Sequence, residues 1–170
     1  DLTYEINSES VKNLVENYDK RIIFLSTCSV YGAQDGVLTE DSGTNPLSEY
    51  ASSKLKAEEY LKDSDALIFR LGTLFGLSDE FSRVRLDLVV NILTAKALID
   101  KKISVFGGEQ WRPLLHVNDV SNAISHCLKT DVSGIYNLHH KNYRIIDIAR
   151  EIENKVCLLY TSPSPRDLDL

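Results

Sequence analysis

The sequence predicts an α/β fold built on a parallel sheet. Short apolar runs alternate along the chain with segments of helical length, which is the order expected of parallel βαβ units. The run at 22–25 is continuously apolar, as is typical of a parallel strand that is buried on both faces. Small hydroxyl residues follow this run directly, at the sheet edge where open α/β folds bind their ligands.

The first half of the chain begins with a helix and then alternates strand and helix. Residues 9–18 predict a helix because their apolar residues recur on one face, with Asn7 or Ser8 as the N-cap. The elements predicted after it are a strand at 21–25, a helix at 50–61 and a strand at 66–71.

The second half continues the alternation. Residues 84–99 predict a long helix, because an apolar stripe runs along one of its faces. Residues 119–128 predict another helix, opened by Asn118 as its cap. The remaining predicted elements are short strands at 102–106 and 113–117, a strand at 135–138 and a last helix that begins over 145–152.

Composition restricts the classes of partner. A net charge of −6 with 43% hydrophobic residues argues against a nucleic-acid-binding or anionic-membrane surface. No apolar run approaches the roughly twenty residues that a membrane helix requires. The three cysteines have neither metal-ligand nor disulfide spacing. We therefore expect a cytoplasmic protein without a metal site, a nucleic-acid partner or a membrane partner.

Two motifs carry candidate chemistry: the hydroxyl-rich stretch 26–32 that closes the first strand, and the pair Tyr50 and Lys54 on the following helix. Residues four apart share a helix face, and Tyr50 alone of the eight tyrosines has a lysine at that spacing. A hydroxyl, a phenol and a cation together are what hydride chemistry on an alcohol needs. Taken singly, the hydroxyl cluster could be a turn or a helix cap, and the lysine a solvated helix end.

The sequence resembles the extended short-chain dehydrogenase/reductase family, the NAD-dependent sugar-nucleotide epimerases and dehydratases. The resemblance covers about residues 1–155. Its landmarks, in family order, are STCSVYG at 26–32, YASSK at 50–54, RLGTLFG at 70–76, VFGG at 105–108, WRPLLHVNDV at 111–120 and GIYN at 134–137.

The resemblance implies a partial doubly wound, Rossmann-like parallel sheet that lacks its first strands, with a small α/β substrate-binding portion. It also implies a division of the chain. The expected parts are the C-terminal half of the dinucleotide-binding domain at 1–76, a mainly substrate-binding portion at 77–118, and a return to the Rossmann-like core with the start of the C-terminal region at 119–156.

Both ends of the chain bear on what it contains. None of the eight glycines lies in a G-x-G-x-x-G array, and there is no methionine, so we expect residue 1 to lie in the middle of a longer protein. Residues 157–167 resemble one reading frame of a transposase sequencing adapter; the alternative is a Pro/Ser-rich linker. We expect 157–170 to be a non-native tail.

The resemblance assigns catalytic roles to three residues. Thr27 matches the residue that hydrogen-bonds the sugar hydroxyl, Tyr50 matches the base, and Lys54 matches the lysine that holds the nicotinamide ribose and acidifies the phenol. The cofactor implied is NAD, with NADP left open. The residues expected to bind it are Asn7, Leu25, Tyr50, Lys54, Leu71 and Gly72.

The resemblance also implies a nucleotide-sugar substrate. Arg112 matches an arginine that contacts the diphosphate in relatives, the alternative being a structural ion pair with Asp119. His116 is expected to be structural rather than an acid or base. The residues expected to bind the substrate are Thr27, Cys28, Ser29, Thr73, Arg85 and Arg112.

The residues after Thr27 restrict which of the family's reactions the chain could catalyse. The family's dehydratases carry Asp-Glu there, whereas this chain has Cys28 and Ser29, so an elimination would lack its acid and base. The sequence therefore favours an NAD-dependent epimerase of a nucleotide-diphosphate sugar, a homodimer in its full-length form, with this piece alone inactive. The alternatives are an NAD(P)-dependent reductase or dehydrogenase of the same family and a non-catalytic NAD(P)-binding module.

Overall fold

The computed structural model describes residues 1–77, 79–83 and 85–156, so the predicted tail at 157–170 lies outside the described residues. The strands are β1 (Ile23–Thr27), β2 (Leu67–Leu71), β3 (Thr73–Phe75), β4 (Trp111–His116), β5 (Gly134–Leu138) and β6 (Lys141–Arg144). The α-helices are α1 (Leu2–Tyr4), α2 (Ser10–Asn17), α3 (Glu49–Leu61), α4 (Val89–Ile99), α5 (Val117–Cys127) and α6 (Ile145–Val156). A π-helical turn, Glu5–Glu9, joins α1 to α2, and a 3₁₀ helix, Cys28–Tyr31, follows β1.

The chain divides into two structural units. The first consists of Asp1–Gly72 and Ser121–Leu138, and the second of Thr73–Val120 and the described residues from His139 onwards. The predicted division into dinucleotide-binding and substrate-binding portions stays a prediction.

The first unit is organised by a parallel sheet with the strand order β1-β2-β5, which confirms the predicted parallel α/β fold. All five residues of the central strand β2 are buried, as expected of a parallel strand covered on both faces. Helices α2 and α3 pack on this sheet through one apolar cluster. The buried members of that cluster are Val11, Ala57, Leu61, Ala66 and Ile68.

The start of the first helical segment differs from the prediction. The N-cap is Asp1, whose carboxylate accepts the Thr3 N–H at 2.9 Å, so the predicted cap at Asn7 or Ser8 is wrong. Both residues instead lie inside the π-helical turn, where Ser8 is fully buried. The predicted start at residue 9 is several residues too late, because the apolar stripe on which the prediction rests begins only at Val11.

Helix α3 begins within one residue of the predicted position. Ser48 is its N-cap, and the serine hydroxyl oxygen accepts the Ala51 N–H at 3.2 Å. This cap satisfies one of the N–H groups that a helix start leaves without a partner. It also places Tyr50 in the first turn of the helix.

The second unit holds a mixed sheet in which β4 pairs with β3 in parallel and with β6 antiparallel. The predicted strand at 102–106 is wrong, because this stretch joins no ladder and both sides of β4 are occupied by β3 and β6. Its apolar residues Ile103 and Val105 are nevertheless buried in the core of this unit. The buried core residues are Leu93, Ala97, Ile103, Val105, Leu114, Ile148 and Ala149.

Two helices of the second unit begin at other residues than predicted. Helix α4 begins at Val89 rather than at 84, a position that lies outside the described residues; residues 86–87 form a turn. Helix α5 begins at Val117, so Asn118 is not its cap. Instead Nδ1 of His116 accepts the Asn118 N–H at 3.1 Å.

Among the residues that the structure describes, no helix combines the length and apolar character needed to cross a membrane.

Candidate active site

Thr27 is the last residue of β1 and caps the 3₁₀ helix that follows. Its Oγ1 accepts the Ser29 N–H at 3.2 Å, and the residue is 9% exposed. Thr27 therefore does act as a helix cap, and this role uses one lone pair of its hydroxyl oxygen. A hydroxyl has a second lone pair and a donor hydrogen, so capping does not use up its hydrogen-bonding capacity.

Lys54 is held against β1 instead of extending into solvent. Its ammonium donates a hydrogen bond to the Leu25 carbonyl at 3.0 Å and lies 4.6 Å from the centroid of the Phe24 ring. Partial burial lowers the pKa of Lys54. The lysine therefore brings a positive charge to the strand only two residues before Thr27.

Tyr50 lies one turn before Lys54 on α3 and is 47% exposed. The backbone carbonyl of Tyr50 accepts a hydrogen bond from the Ser53 hydroxyl at 2.9 Å. Ser53 in turn accepts one from the Asn7 side-chain amide at 3.2 Å. The structure thus places Asn7 against the helix turn that carries Tyr50 and Lys54, and its contact with a cofactor stays a prediction.

The other residues of the first unit that were expected to bind a ligand lie near the ends of β1 and β2. Cys28 and Ser29 begin the 3₁₀ helix after Thr27. Leu71 ends β2, and the N–H of Gly72 donates to the Leu138 carbonyl at 2.9 Å. Leu25 is 37% exposed. Their binding roles stay predictions.

Gly32 closes the 3₁₀ helix with backbone angles of φ 70° and ψ −152°. A Cβ at this position would lie 1.9 Å from the Asn45 carbonyl oxygen. This conformation is essentially restricted to glycine, so the last position of the STCSVYG stretch has a backbone requirement of its own.

The remaining predicted substrate residues belong to the second unit. Thr73 begins β3, and the exposed Arg112 lies on β4. The guanidinium of Arg112 donates to the Trp111 carbonyl at 3.1 Å, and the structure does not show the alternative ion pair with Asp119. Arg85 makes a two-point ion pair with Asp87, at 2.8 and 2.6 Å, which lowers the pKa of the Asp87 carboxyl to about 2.

His116 has structural contacts. Its ring packs edge-on against Phe75, with 5.1 Å between ring centroids, and its Nδ1 accepts the Asn118 N–H. A Cβ at Gly76, where φ is +111°, would lie only 2.6 Å from the His116 Nε2. These contacts fix the orientation of the ring.

One group of residues was missed by the sequence prediction. Glu58 and Arg70 form a buried ion pair in the first unit, with Nη2 and Oε2 2.7 Å apart. Two signals in the sequence could have indicated it. Glu58 is one helical turn beyond Lys54, and Arg70 is the only charged residue in the otherwise apolar LIFRL strand.

The model of the NAD dependent epimerase/dehydratase family matches residues 1–138. The chain belongs to this family. An uncharacterized UDP-glucose epimerase, YtcB, of Bacillus subtilis strain 168 is 31% identical over 117 residues, which are 65% of this chain and 35% of that protein. The UDP-glucose 4-epimerase of Lactobacillus helveticus is 24% identical over 194 residues, covering 88% of this chain and 59% of the relative.

Solved structures of the NAD dependent epimerase/dehydratase family support the same assignment. The Bacillus cereus UDP-glucuronic acid 4-epimerase, crystallised with UDP-glucuronic acid and NAD, matches with a TM-score of 0.78 and 28% identity. The match covers 92% of this chain and 53% of that protein. The fold is therefore Rossmann-like, and the chain spans about half the length of the structure it matches.

Proposed function

We propose that the complete protein containing this sequence is an NAD-dependent epimerase of a nucleotide-diphosphate sugar. The observation that carries the proposal is the position of Lys54. Its ammonium is held by the Leu25 carbonyl, two residues before Thr27, and it lies one helical turn from Tyr50. Relatives named as UDP-glucose 4-epimerase and UDP-glucuronic acid 4-epimerase support the substrate class.

The residues of the first unit fit the nicotinamide-ribose end of NAD. An ammonium has three donors, and Lys54 directs one of them at the Leu25 carbonyl, so its chemistry suits the hydroxyls of a ribose. Lys54 and Tyr50 would hold that end of the cofactor, with Leu25, Leu71 and Gly72 alongside. When bound, NAD supplies a reversible hydride acceptor for the oxidised sugar carbon.

The side chains of this chain would handle the proton. Tyr50 takes the proton of the sugar hydroxyl as a base and returns it later, and the Thr27 hydroxyl orients that sugar oxygen by a hydrogen bond. A phenol with the ordinary tyrosine pKa of about 10 is protonated at neutral pH and is therefore a poor base. A nearby cation favours the phenolate form. Partial burial lowers the pKa of Lys54, and a partly desolvated ammonium acts more strongly on a nearby phenolate than one in bulk water.

The surroundings of Thr27 favour epimerisation over loss of water. Cys28 and Ser29, the first residues of the 3₁₀ helix, provide no carboxyl group for an elimination. The carboxylate of Glu58 is bound by Arg70 in the ion pair and by Ser26. With NAD as the hydride acceptor, transient oxidation at one carbon needs only the hydroxyl, the phenol and the cation from this chain.

The proposal predicts that Tyr50→Phe abolishes turnover in the complete protein, because the variant lacks only the phenol oxygen. Wild-type and variant proteins are incubated with NAD and either UDP-glucose or UDP-glucuronic acid, and the products are separated by chromatography and identified by NMR. Tyr60→Phe is the matched control, since Tyr60 lies on the same helix and bonds Glu9 instead. We expect the wild type and Tyr60→Phe to produce the epimer. A dehydrated product, or full activity in Tyr50→Phe, would contradict the proposal.

A further inference from the structure

A buried ion pair connects two elements that carry the candidate active site. Arg70 on β2 and Glu58 on α3 are 5% and 4% exposed. Besides the 2.7 Å contact between Nη2 and Oε2, the Arg70 Nε donates to both carboxylate oxygens at 3.2 and 3.1 Å. Burial alone would lower the pKa of Arg70, but hydrogen bonds to Glu58 and Tyr31 outweigh it, so the pKa of Arg70 is raised.

The ion pair is joined to β1 immediately before Thr27. The Ser26 hydroxyl donates to Oε1 of Glu58, and Ser26 lies opposite Arg70 in the register of β1 and β2. Lys54 donates to the carbonyl of Leu25, the preceding residue of the same strand. Helix α3 is therefore bonded to two consecutive residues of β1, and the next residue is Thr27.

The ion pair is also joined to the segment after Thr27. Arg70 Nη1 donates to the Tyr31 hydroxyl at 2.9 Å, and that hydroxyl donates to the Asn137 side chain on β5 at 2.7 Å. Tyr31 ends the 3₁₀ helix that begins at Cys28. Residues on both sides of Thr27, Ser26 and Tyr31, thus bond to the same ion pair.

Stability alone does not explain such a pair, because desolvation of two charges offsets most of their attraction and an apolar pair of similar size can be equally stable. What the ion pair adds is directed bonds to β1 and to the 3₁₀ helix, and through Tyr31 a link to β5. We propose that Arg70 and Glu58 are positioning residues that hold the Thr27 segment and the Tyr50–Lys54 helix turn in one fixed register. This inference rests on the proposed function.

The test replaces the pair by apolar residues of similar volume, Glu58→Leu with Arg70→Met, in the complete protein. The matched control is Glu59→Leu with Lys56→Met, which removes an exposed ion pair, 2.7 Å long, from the same helix. We expect the buried-pair variant to fold, as checked by circular dichroism, with kcat reduced about ten- to a hundredfold and KM little changed, as misplaced catalytic groups produce. The control variant should keep the wild-type kcat.

A folded buried-pair variant with wild-type kcat would overturn the inference, because the pair would then serve stability alone. If that variant fails to fold, Tyr31→Phe replaces it; this change removes one hydroxyl that links Arg70 to the Thr27 segment. Tyr31→Phe should lower kcat several-fold without changing KM, and an unchanged kcat would overturn the inference equally.

A readout without turnover separates this inference from the proposed function. The pH midpoint for chemical labelling of Lys54, followed by peptide mass spectrometry, should lie below the ordinary lysine value in the wild type and rise towards it in the buried-pair variant. A wild type that turns over neither UDP-sugar would contradict the proposed function, whereas this midpoint shift would still support the positioning role. An unchanged midpoint would overturn the positioning role.

Discussion

At the scale of single residues, the site depends on hydrogen-bond partners that the sequence motifs do not reveal. The sequence identifies Tyr50 and Lys54 by their spacing. It does not show that the Lys54 ammonium bonds the Leu25 carbonyl, since spacing along a helix does not identify the acceptor that a long side chain reaches on another element. The lowered pKa of Lys54 follows from that placement and can be measured.

The lowered pKa predicts a pH dependence of folding. Between the folded pKa of Lys54 and the unfolded value of about 10.4, the unfolded chain binds more protons, so this residue's contribution to stability rises with pH. Lys54→Met removes the titrating group. We expect the free energy of unfolding of the wild type, relative to Lys54→Met, to increase as pH rises towards about 10.4. Urea unfolding of both proteins at a series of pH values measures it, and a constant or decreasing difference would contradict the lowered pKa.

At the scale of elements, helices and strands with strong local signals were predictable, and those defined by pairing were not. Strand β2 is indicated by its apolar run, and α2 by apolar residues that recur on one face. Strand β6, with the sequence KNYR, has no apolar alternation and becomes a strand through its antiparallel pairing with β4. The stretch 102–106 shows the converse, because its alternating residues are buried without joining a sheet.

The candidate site shows the same division. Its three catalytic candidates follow from motif and spacing, whereas the Arg70–Glu58 pair joins residues that are distant in the sequence. An arginine inside an apolar strand indicates a buried partner but does not identify it. Only the register of β1, β2 and β5, which aligns Ser26, Arg70 and Asn137, brings the members of the pair's network together.

The cap of α3 gives an element-scale prediction. Ser48→Ala should destabilise the protein by about 1 kcal/mol, because the Ala51 N–H loses its acceptor at the helix turn that carries Tyr50. Ser48→Asp is the matched control and should retain wild-type stability, since aspartate caps equally well. Urea unfolding measures both changes. Equal losses in the two variants would show that capping is not the cause.

At the scale of the whole molecule, the chain carries the three predicted catalytic residues and covers 59% and 53% of the length of the two relatives described above. In the described part of the chain, β1 lies at an edge of its sheet and pairs with β2 alone. The strand bears apolar residues, and Leu25 is 37% exposed. An apolar strand edge with unpaired backbone groups favours association with another chain.

The last prediction concerns this 170-residue chain as expressed. We expect it to associate through the exposed edge of β1. We also expect it to bind NAD too weakly to detect, because its sequence has no G-x-G-x-x-G turn for the pyrophosphate. Light scattering measures the association, and calorimetry measures binding. Ile23→Lys should reduce association, since a lysine on an edge strand opposes pairing, whereas Val37→Lys, at a 93% exposed position outside the sheet, should not. A monodisperse monomer with saturable NAD binding would contradict both expectations and would mean that residues other than a glycine-rich turn hold the pyrophosphate.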